Sequence, residues 1–199
     1  IDLLKELLKI KELEYIRLLY LYPDEIEDEL IELIGKEKRL TPYFDIPIQH
    51  SEDSVLKNMN RRGDKQYLLN LFNKIKNTVP NAILRTTVMV GFPGESEEDF
   101  NNLVDFIKQV EFDHLGCFTF SKEEDTLAFK YKNQIDKETK KRRKDIIMKE
   151  QSRISYRKNK AHIGEIMEGL IIEKKNNGYK LRSYYNAIDD IDGSIIVNS

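Results

Sequence analysis

The chain has 199 residues, of which 40% are hydrophobic and 34% are charged, and its formal net charge is −2. This apolar content suffices for an ordinary core, so the composition excludes wholesale disorder. No apolar run approaches the ~20 residues that span a bilayer. A single cysteine, Cys117, excludes an internal disulfide and any cysteine-ligated zinc or iron–sulfur site made by this chain alone. We therefore expect a reducing, cytoplasmic location.

The beginning of the chain predicts two strands separated by a helix. The first residues show neither an initiator methionine nor a signal-peptide apolar region, which favours an internal stretch of a longer protein. Residues 14–22 are rich in aliphatic and aromatic side chains, and this favours a strand. Asp24 can then cap a helix that ends at Gly35. Residues 43–49 predict the second strand, with a proline that interrupts its pairing.

The middle of the chain predicts helices and strands in alternation. Ser51 can cap a short helix and Asp64 a longer one. Residues 82–90 form the clearest strand, and Ser96, with an aspartate three residues later, resembles a capping box. A last strand is predicted over residues 114–120. The order β-α-β-α-β-α-β predicts an α/β fold with a parallel sheet and right-handed crossovers, and part of a (β/α) barrel fits it best.

The last third of the chain changes character twice. Residues 136–160 hold 11 basic and 4 acidic residues without apolar periodicity, which predicts an exposed connecting helix. After Gly164, short apolar runs on both sides of the turn at 176–178 predict antiparallel strands. The predicted domains are a partial barrel over 1–133, a basic linker helix over 134–161 and an incomplete all-β domain over 162–199.

Polar residues cluster where the predicted parallel strands end, which is where such folds place their sites. In the segment Gly91 to Glu95, a Pro-Gly pair predicts a type II turn, and Gly91 allows a ligand to approach the backbone. His50 could act as a base or donor, or it could hold its loop. Arg85 could pair with Asp45 or leave its charge facing a cavity. Cys117 is predicted to serve packing.

Four motifs closely resemble the methylthiotransferase branch of radical S-adenosylmethionine (SAM) enzymes. They follow one another over residues 14–160 and read YIRLLYLYP, YFDIPIQHSEDSVLKNMNRRG, LRTTVMVGFPGESEEDF and FDHLGCFTFSKEEDTLAF. Residues 163–199 resemble the first half of the TRAM domain, a small OB-like β-domain. The resemblance therefore implies a partial radical SAM barrel of TIM type, a linker helix and a partial TRAM domain.

Within this branch, DIPIQH and FDHLGCFTFS resemble the RimO type, which modifies ribosomal protein S-twelve (uS12). The acidic balance of residues 161–199 favours such a basic protein partner. The resemblance implies the addition of a methylthio group to the β-carbon of an aspartate. It also implies SAM and two 4Fe–4S clusters as cofactors, one cluster cleaving SAM and the other supplying or holding sulfur. The cysteine motifs that would ligate the clusters are absent here, and we expect them upstream of Ile1.

The family pattern also implies site residues. The SAM-binding residues would be Gln49, His50, Arg85, Thr87, Gly91, Gly94 and Glu95. Charge suggests that an acidic partner-binding cluster lies at Asp189, Asp190 and Asp192. Two alternatives stay open at this point: a transfer-RNA methylthiotransferase of the MiaB type, and a binding module that lacks the cluster-binding half.

Overall fold

The computed structural model describes residues 1–188 and 191–198. The helices are α1 (Asp2–Leu7), α2 (Asp28–Lys36), α3 (Asp53–Asn58), α4 (Lys65–Thr78), α5 (Glu97–Val110) and α6 (Lys137–Ala161), with short 3-10 turns at Pro23–Glu25 and Ala128–Lys130. The strands are β1 (Tyr43–Asp45), β2 (Ile83–Val90), β3 (His114–Thr119), β4 (Gly169–Lys175), β5 (Gly178–Ser183) and β6 (Ile195–Asn198). No helix among the described residues is both long and apolar enough to cross a bilayer.

The first three strands form a parallel sheet in the order β1-β2-β3, and this confirms the predicted α/β class. The two faces of β2 differ. Leu84, Thr86, Val88 and Val90 are fully buried, and their apolar members join the core formed with the helices. Arg85, Thr87 and Met89 lie on the opposite face and are only partly covered. The sheet therefore has one face sealed by helices and one face open to a cavity.

The strand predicted over residues 43–49 is interrupted where expected. Regular pairing stops at Asp45, and a single parallel bridge resumes at Gln49 opposite Val88. Between them, Pro47 has no N–H to donate. The Thr86 hydroxyl fills part of the gap, because it donates to the Ile46 carbonyl at 2.7 Å.

The strand predicted over residues 14–22 is wrong. Only Ile16 forms an isolated parallel bridge, to Leu40, and the Leu21 N–H donates separately to the Asp45 carbonyl at 2.8 Å. Tyr20 between them has φ 58°, in the left-handed region. This kink prevents a continuous ladder alongside β1.

The helix boundaries confirm two predicted caps and correct two others. Asp64 caps α4, and Ser96 forms a capping box at α5. However, α2 begins after Glu27 rather than at Asp24, and α3 begins after Glu52 rather than at Ser51. The predicted stop at Gly35 is also wrong, since α2 runs to Lys36. A Cβ at Gly35 would lie 3.0 Å from the Thr78 carbonyl oxygen, so the glycine serves the close approach of α2 to α4.

Helix α6 confirms the predicted helix but not its exposure. It packs on β3, β2 and α5, and one stripe of its surface is buried. That stripe consists of Arg143, Ile147, Gln151 and Ile154. Two of these four residues are polar, so the stripe does not stand out as an apolar period. The helix is part of the α/β layer rather than a free linker.

The last three strands form a separate antiparallel sheet in the order β4-β5-β6. The predicted turn at 176–178 is confirmed, since Lys175 pairs with Gly178 across a tight hairpin. The segment between β5 and β6 turns back toward the parallel sheet. There Tyr185 and Ala187 pack against Tyr43 and Ile83 in a small apolar cluster.

Candidate functional site

A cavity of about 610 Å³ lies on the open face of the parallel sheet. Its volume falls within the ~300–1,000 Å³ typical of small-molecule sites. The described residues that line it are Tyr20, Leu21, Tyr22, Pro47, Gln49, Arg61, Arg85, Thr87, Phe118 and Ile191. They come from the segment before α2, from the residues after β1, from β2 and β3, from the loop after α3 and from the C-terminal region. None of them is acidic.

Three of the sequence-predicted residues meet in this cavity. Arg85 and Thr87 project from the open face of β2, and Gln49 stands beside them where the first strand resumes. Gln49 has φ 67°, and this unusual backbone angle directs the chain out of the sheet at the cavity rim. The cavity thus combines an amide, a hydroxyl and a guanidinium on one wall.

Arg85 does both things that its position in the sequence allowed: it pairs with Asp45, and it faces a cavity. Its Nη1 donates to Asp45 Oδ1 at 2.8 Å, and its Nε lies 3.3 Å from Asp192 Oδ1. Burial acts to lower the pKa of Arg85, but the hydrogen bond and charge of Asp45, together with the charges of Tyr43 and Asp192, raise that pKa above its usual value. The side chain is therefore ion-paired while it lines the cavity.

Sequence reasoning placed Tyr22 at the end of a predicted strand but missed the rest of the cavity wall. Tyr20, Tyr22 and Phe118 expose 73%, 58% and 59% of their surface, which is unusual for aromatic side chains of this size. The Arg61 guanidinium carbon lies 5.3 Å from the centre of the Tyr22 ring. Arg61 lies in the loop after the helix that follows the first strand, and this position indicated that it could reach the site. A loop arginine, however, is usually a solvated surface charge.

The predicted residues His50 and Glu95 lie outside the cavity, in a buried polar group with Arg143. His50 Nε2 is 3.7 Å from Glu95 Oε1, and Arg143 Nη1 is 3.2 Å from Glu95 Oε2. His50 Nδ1 also accepts from the Glu52 N–H at 3.1 Å, at the start of α3. These contacts tie the loops after β1 and β2 to α6. They support the loop-holding interpretation of His50.

The predicted turn after β2 is present. The Glu95 N–H donates to the Phe92 carbonyl at 3.0 Å, and Gly94 has φ +88°. Gly91 has φ +76°, its N–H donates to the Glu95 carboxylate, and a Cβ there would collide with the Lys140 side chain. Neither glycine lines the cavity, and Gly94 is exposed with open space around it.

Asp192 was predicted to belong to an acidic surface cluster, but the structure shows its side chain buried. Its side chain is only 2% exposed and faces Arg85 and the Tyr43 hydroxyl. Interpreting Asp192 as a surface charge for a partner is therefore wrong. Its contacts are with residues far away in the chain, so nothing local in the sequence indicates that its side chain faces inward. Asp189 and Asp190 lie outside the described residues.

The chain does not carry a ligand set that fits an iron–sulfur cluster. Cys117 faces the helix core, and burial raises the pKa of its thiol to about 12, so the sulfur is a protonated packing group. No cluster of three or more histidine, cysteine or acidic side chains suited to a metal occurs in the described part of the chain.

The curated relatives are methylthiotransferases. The chain is 46% identical over its full length to "Ribosomal protein uS12 methylthiotransferase RimO" of Clostridioides difficile. It is also 46% identical to the protein of that name from Petrotoga mobilis and 42% identical to that of Acetivibrio thermocellus. The chain spans about 45% of the length of these relatives. The predicted resemblance to RimO-type methylthiotransferases is thus confirmed.

A solved structure and a family match agree on the fold. The structure titled "Coproporphyrinogen III oxidase (HemN) from Escherichia coli is a Radical SAM enzyme" aligns with a TM-score of 0.54 and 17% identity, covering 73% of this chain and 32% of that one. Residues 1–107 match the radical SAM superfamily. With its parallel sheet and its cavity near the carboxyl ends of the strands, the chain belongs to the radical SAM superfamily.

Proposed function

We propose that the full-length protein is a RimO-type methylthiotransferase, which adds a methylthio group to the β-carbon of an aspartate in ribosomal protein uS12. The observation that carries this proposal is the 42–46% identity to RimO proteins across the whole chain. We also propose that the protein acts in the cytoplasm, where a ribosomal protein would be met.

The cavity is the proposed SAM site. SAM carries an adenine, a ribose and an amino acid, and the wall offers a group suited to each. The partly buried Arg61 would pair with the carboxylate, since an arginine fork suits that group. Exposed aromatic rings such as Tyr22 would stack on the adenine. Gln49 and Thr87 would hydrogen-bond the ribose hydroxyls.

The other predicted site residues have a supporting role in this proposal. His50, Glu95 and Arg143 hold together the loops that form the rim, and Gly91 and Gly94 give the turn after β2 its shape. When bound, SAM with an iron–sulfur cluster supplies the hydrogen-abstracting chemistry. The residues of this chain bind and orient the SAM. We propose that two 4Fe–4S clusters are ligated by residues outside this chain.

The C-terminal sheet is proposed to be part of a TRAM domain that presents the partner. Residues 161–199 carry four basic and six acidic residues, a balance that suits a basic ribosomal protein better than RNA phosphates. With Asp192 engaged inside, Asp189 and Asp190 remain the proposed contacts. The domain limits 1–133, 134–161 and 162–199 stay a proposal, modified by the packing of α6 onto the sheet.

The test is modification of two substrates by the full-length protein. The anaerobically reconstituted enzyme would be incubated with SAM, a sulfur source and either uS12 or transfer RNA. We expect mass spectrometry to find a methylthio group on one aspartate of uS12 and none on the RNA. Modification of the RNA alone would contradict the proposal and support the MiaB-type alternative.

Binding separates the cavity proposal from the substrate proposal. Arg61→Gln and Thr87→Val should weaken SAM binding, measured by calorimetry, about 10-fold or more for Arg61 and a few-fold for Thr87. Arg153→Gln is a matched control, because Arg153 is an exposed arginine of α6 that pairs with Glu150. Normal SAM binding by Arg61→Gln would show that the cofactor lies elsewhere.

A further inference from the structure

The segment that joins β5 to β6 docks on the open face of the parallel sheet. His114 Nε2 lies 2.8 Å from the Tyr185 carbonyl oxygen, and Arg17 Nη2 donates to the Ser183 carbonyl at 3.0 Å. Beneath these polar contacts, Tyr185 packs against Tyr43. The C-terminal region is thus attached by both polar and apolar contacts to residues near the amino ends of the parallel strands.

Asp192 is the acidic centre of this contact. Its Oδ2 accepts from the Ala187 N–H at 2.9 Å and from the Tyr43 hydroxyl. Its Oδ1 lies 3.3 Å from Arg85 Nε and 3.8 Å from His114 Nδ1. A carboxylate with 2% exposure needs such partners, because burying an unpaired charge is costly.

These contacts connect the C-terminal region to the cavity. Arg85 is held between Asp45, from its own sheet, and Asp192, from the other region. Ile191, the neighbour of Asp192, lines the same cavity as Arg85. The docked segment therefore supplies part of the cavity wall and one of the two carboxylates that fix its partly buried arginine.

We propose that Asp192 is a positioning residue for the cavity, which couples docking of residues 183–188 and 191–192 to SAM binding. The proposal rests on the function proposed above, in which SAM occupies the cavity. Docking sets the Arg85 side chain along the wall and places Ile191 beside it. Because coupling between two sites is reciprocal, SAM in the cavity should hold the segment down by the same factor. A partner that moves the C-terminal region would then change the affinity for SAM.

The test compares the full-length protein with Asp192→Asn, which keeps the shape of the side chain and removes its charge. Two quantities are measured: the SAM dissociation constant, by calorimetry, and hydrogen exchange of the peptide that covers residues 183–188, with and without SAM. In the wild type we expect SAM to slow exchange in that peptide about 5- to 10-fold. In the variant we expect SAM to bind about 5- to 10-fold more weakly and to slow exchange little.

The SAM-dependent part of the exchange separates positioning from simple structural support. A purely structural role would speed exchange equally with and without SAM and would overturn the proposal, as would unchanged SAM affinity in Asp192→Asn. Asp105→Asn is the control, since it removes an exposed carboxylate from α5 and should change neither quantity. If the wild type binds no SAM, the proposed SAM site fails, and the coupling fails with it.

A second variant keeps the proposal testable if Asp192→Asn does not fold. Tyr43→Phe removes only the hydroxyl that donates to Asp192 and leaves the contact between Asp192 and Arg85 in place. We expect SAM affinity to fall about 2- to 3-fold, a smaller effect of the same sign. Unchanged affinity in Tyr43→Phe, with Asp192→Asn unfolded, would overturn the proposal.

Discussion

The parallel sheet and the antiparallel C-terminal sheet are stabilised in different ways. On the parallel sheet, the helix-covered face of β2 is fully buried in a core that includes α4, α5 and α6. On the antiparallel sheet, Leu170, Ile171 and Ile172 of β4 expose 54%, 57% and 42% of their surface. Within the described residues, this second sheet has no covering layer. Its attachment to the first sheet through the β5–β6 segment therefore carries much of its order.

The largest expected effect is the loss of stability when a buried side chain of the parallel-sheet region is truncated, compared with an exposed one of the antiparallel sheet. Phe72 of α4 is buried, and its ring packs edge-on against Phe112 at a centroid distance of 5.0 Å. We expect Phe72→Ala to lower the local free energy of opening by about 3–5 kcal/mol, because it leaves a cavity in a closed core. Ile196→Ala, on the exposed strand β6, should change the local free energy of opening of the antiparallel sheet by less than ~0.5 kcal/mol.

Native-state hydrogen exchange of α4 and β5 amides in the full-length protein measures both changes. A loss of several kcal/mol for Ile196→Ala would show that another part of the protein covers the antiparallel sheet. A small loss for Phe72→Ala would show that the helix core is more loosely packed than its burial indicates.

The second prediction concerns the buried polar group formed by His50, Glu95 and Arg143. Arg143 pairs with Glu95, and its Nη1 also donates to the Glu95 carbonyl at 3.1 Å. We expect Arg143→Ala to destabilise the attachment of α6 by about 3 kcal/mol, since it leaves a buried carboxylate without its cation. Hydrogen exchange of α6 reports the loss. The double variant Arg143→Met with Glu95→Gln should recover part of it, and no recovery would mean that lost packing dominates.

Arg143 also shows why the sequence predicted an exposed helix where α6 has a buried stripe. An amphipathic helix is recognised by apolar residues at helical spacing. Here the buried stripe alternates charged or polar groups with isoleucines, and the buried polar groups find partners far away in sequence. Gln151, for example, donates to the Phe112 carbonyl at 2.8 Å. Pairing across 39 residues has no local signature.

The strands and the cavity also include features that the sequence predicts and features that it does not. Residues 82–90 were predictable as a strand, because β-branched and apolar side chains dominate a short run that ends at Gly91. The face of β2 that opens to the cavity was not predictable. Strand alternation places Arg85 and Thr86 on opposite faces, but it does not say which face the helices cover. The inward fold of Asp192 was equally hidden, because its partners lie on β1, β2 and β3.

The third prediction separates the turn after β2 from the cavity. Gly94 has φ +88° but is exposed and does not line the cavity. We expect Gly94→Ala to cost about 1–2 kcal/mol through backbone strain alone. SAM affinity in the full-length protein should stay within about 2-fold of wild type, whereas Thr87→Val should weaken it more. Calorimetry with SAM decides between them, and a larger loss for Gly94→Ala would place the turn in the binding site.

The smallest expected effect is a pH dependence of the contact between the two sheets. Burial lowers the pKa of His114 from 6.5, and the charge of Asp192 acts in the opposite direction. Asp113 also raises this pKa, and Arg85 lowers it. Because the folded histidine binds its proton less readily than the unfolded one, folding should lose stability as the pH falls through about 6.5. The loss should level off below the pKa of the folded state and vanish above neutral pH.

His114→Gln isolates this contribution. Hydrogen exchange of residues 183–188, measured between pH 5 and 8 and corrected for intrinsic rates, gives the stability of the docked segment in both proteins. The difference, wild type minus variant, should fall with decreasing pH only in the window below about 6.5. We expect it to be small, since burial and the Asp192 charge oppose each other. A difference that rises as the pH falls would mean that the protonated His114 is stabilised by its pairing with Asp192, and that the ion pair outweighs burial at this junction.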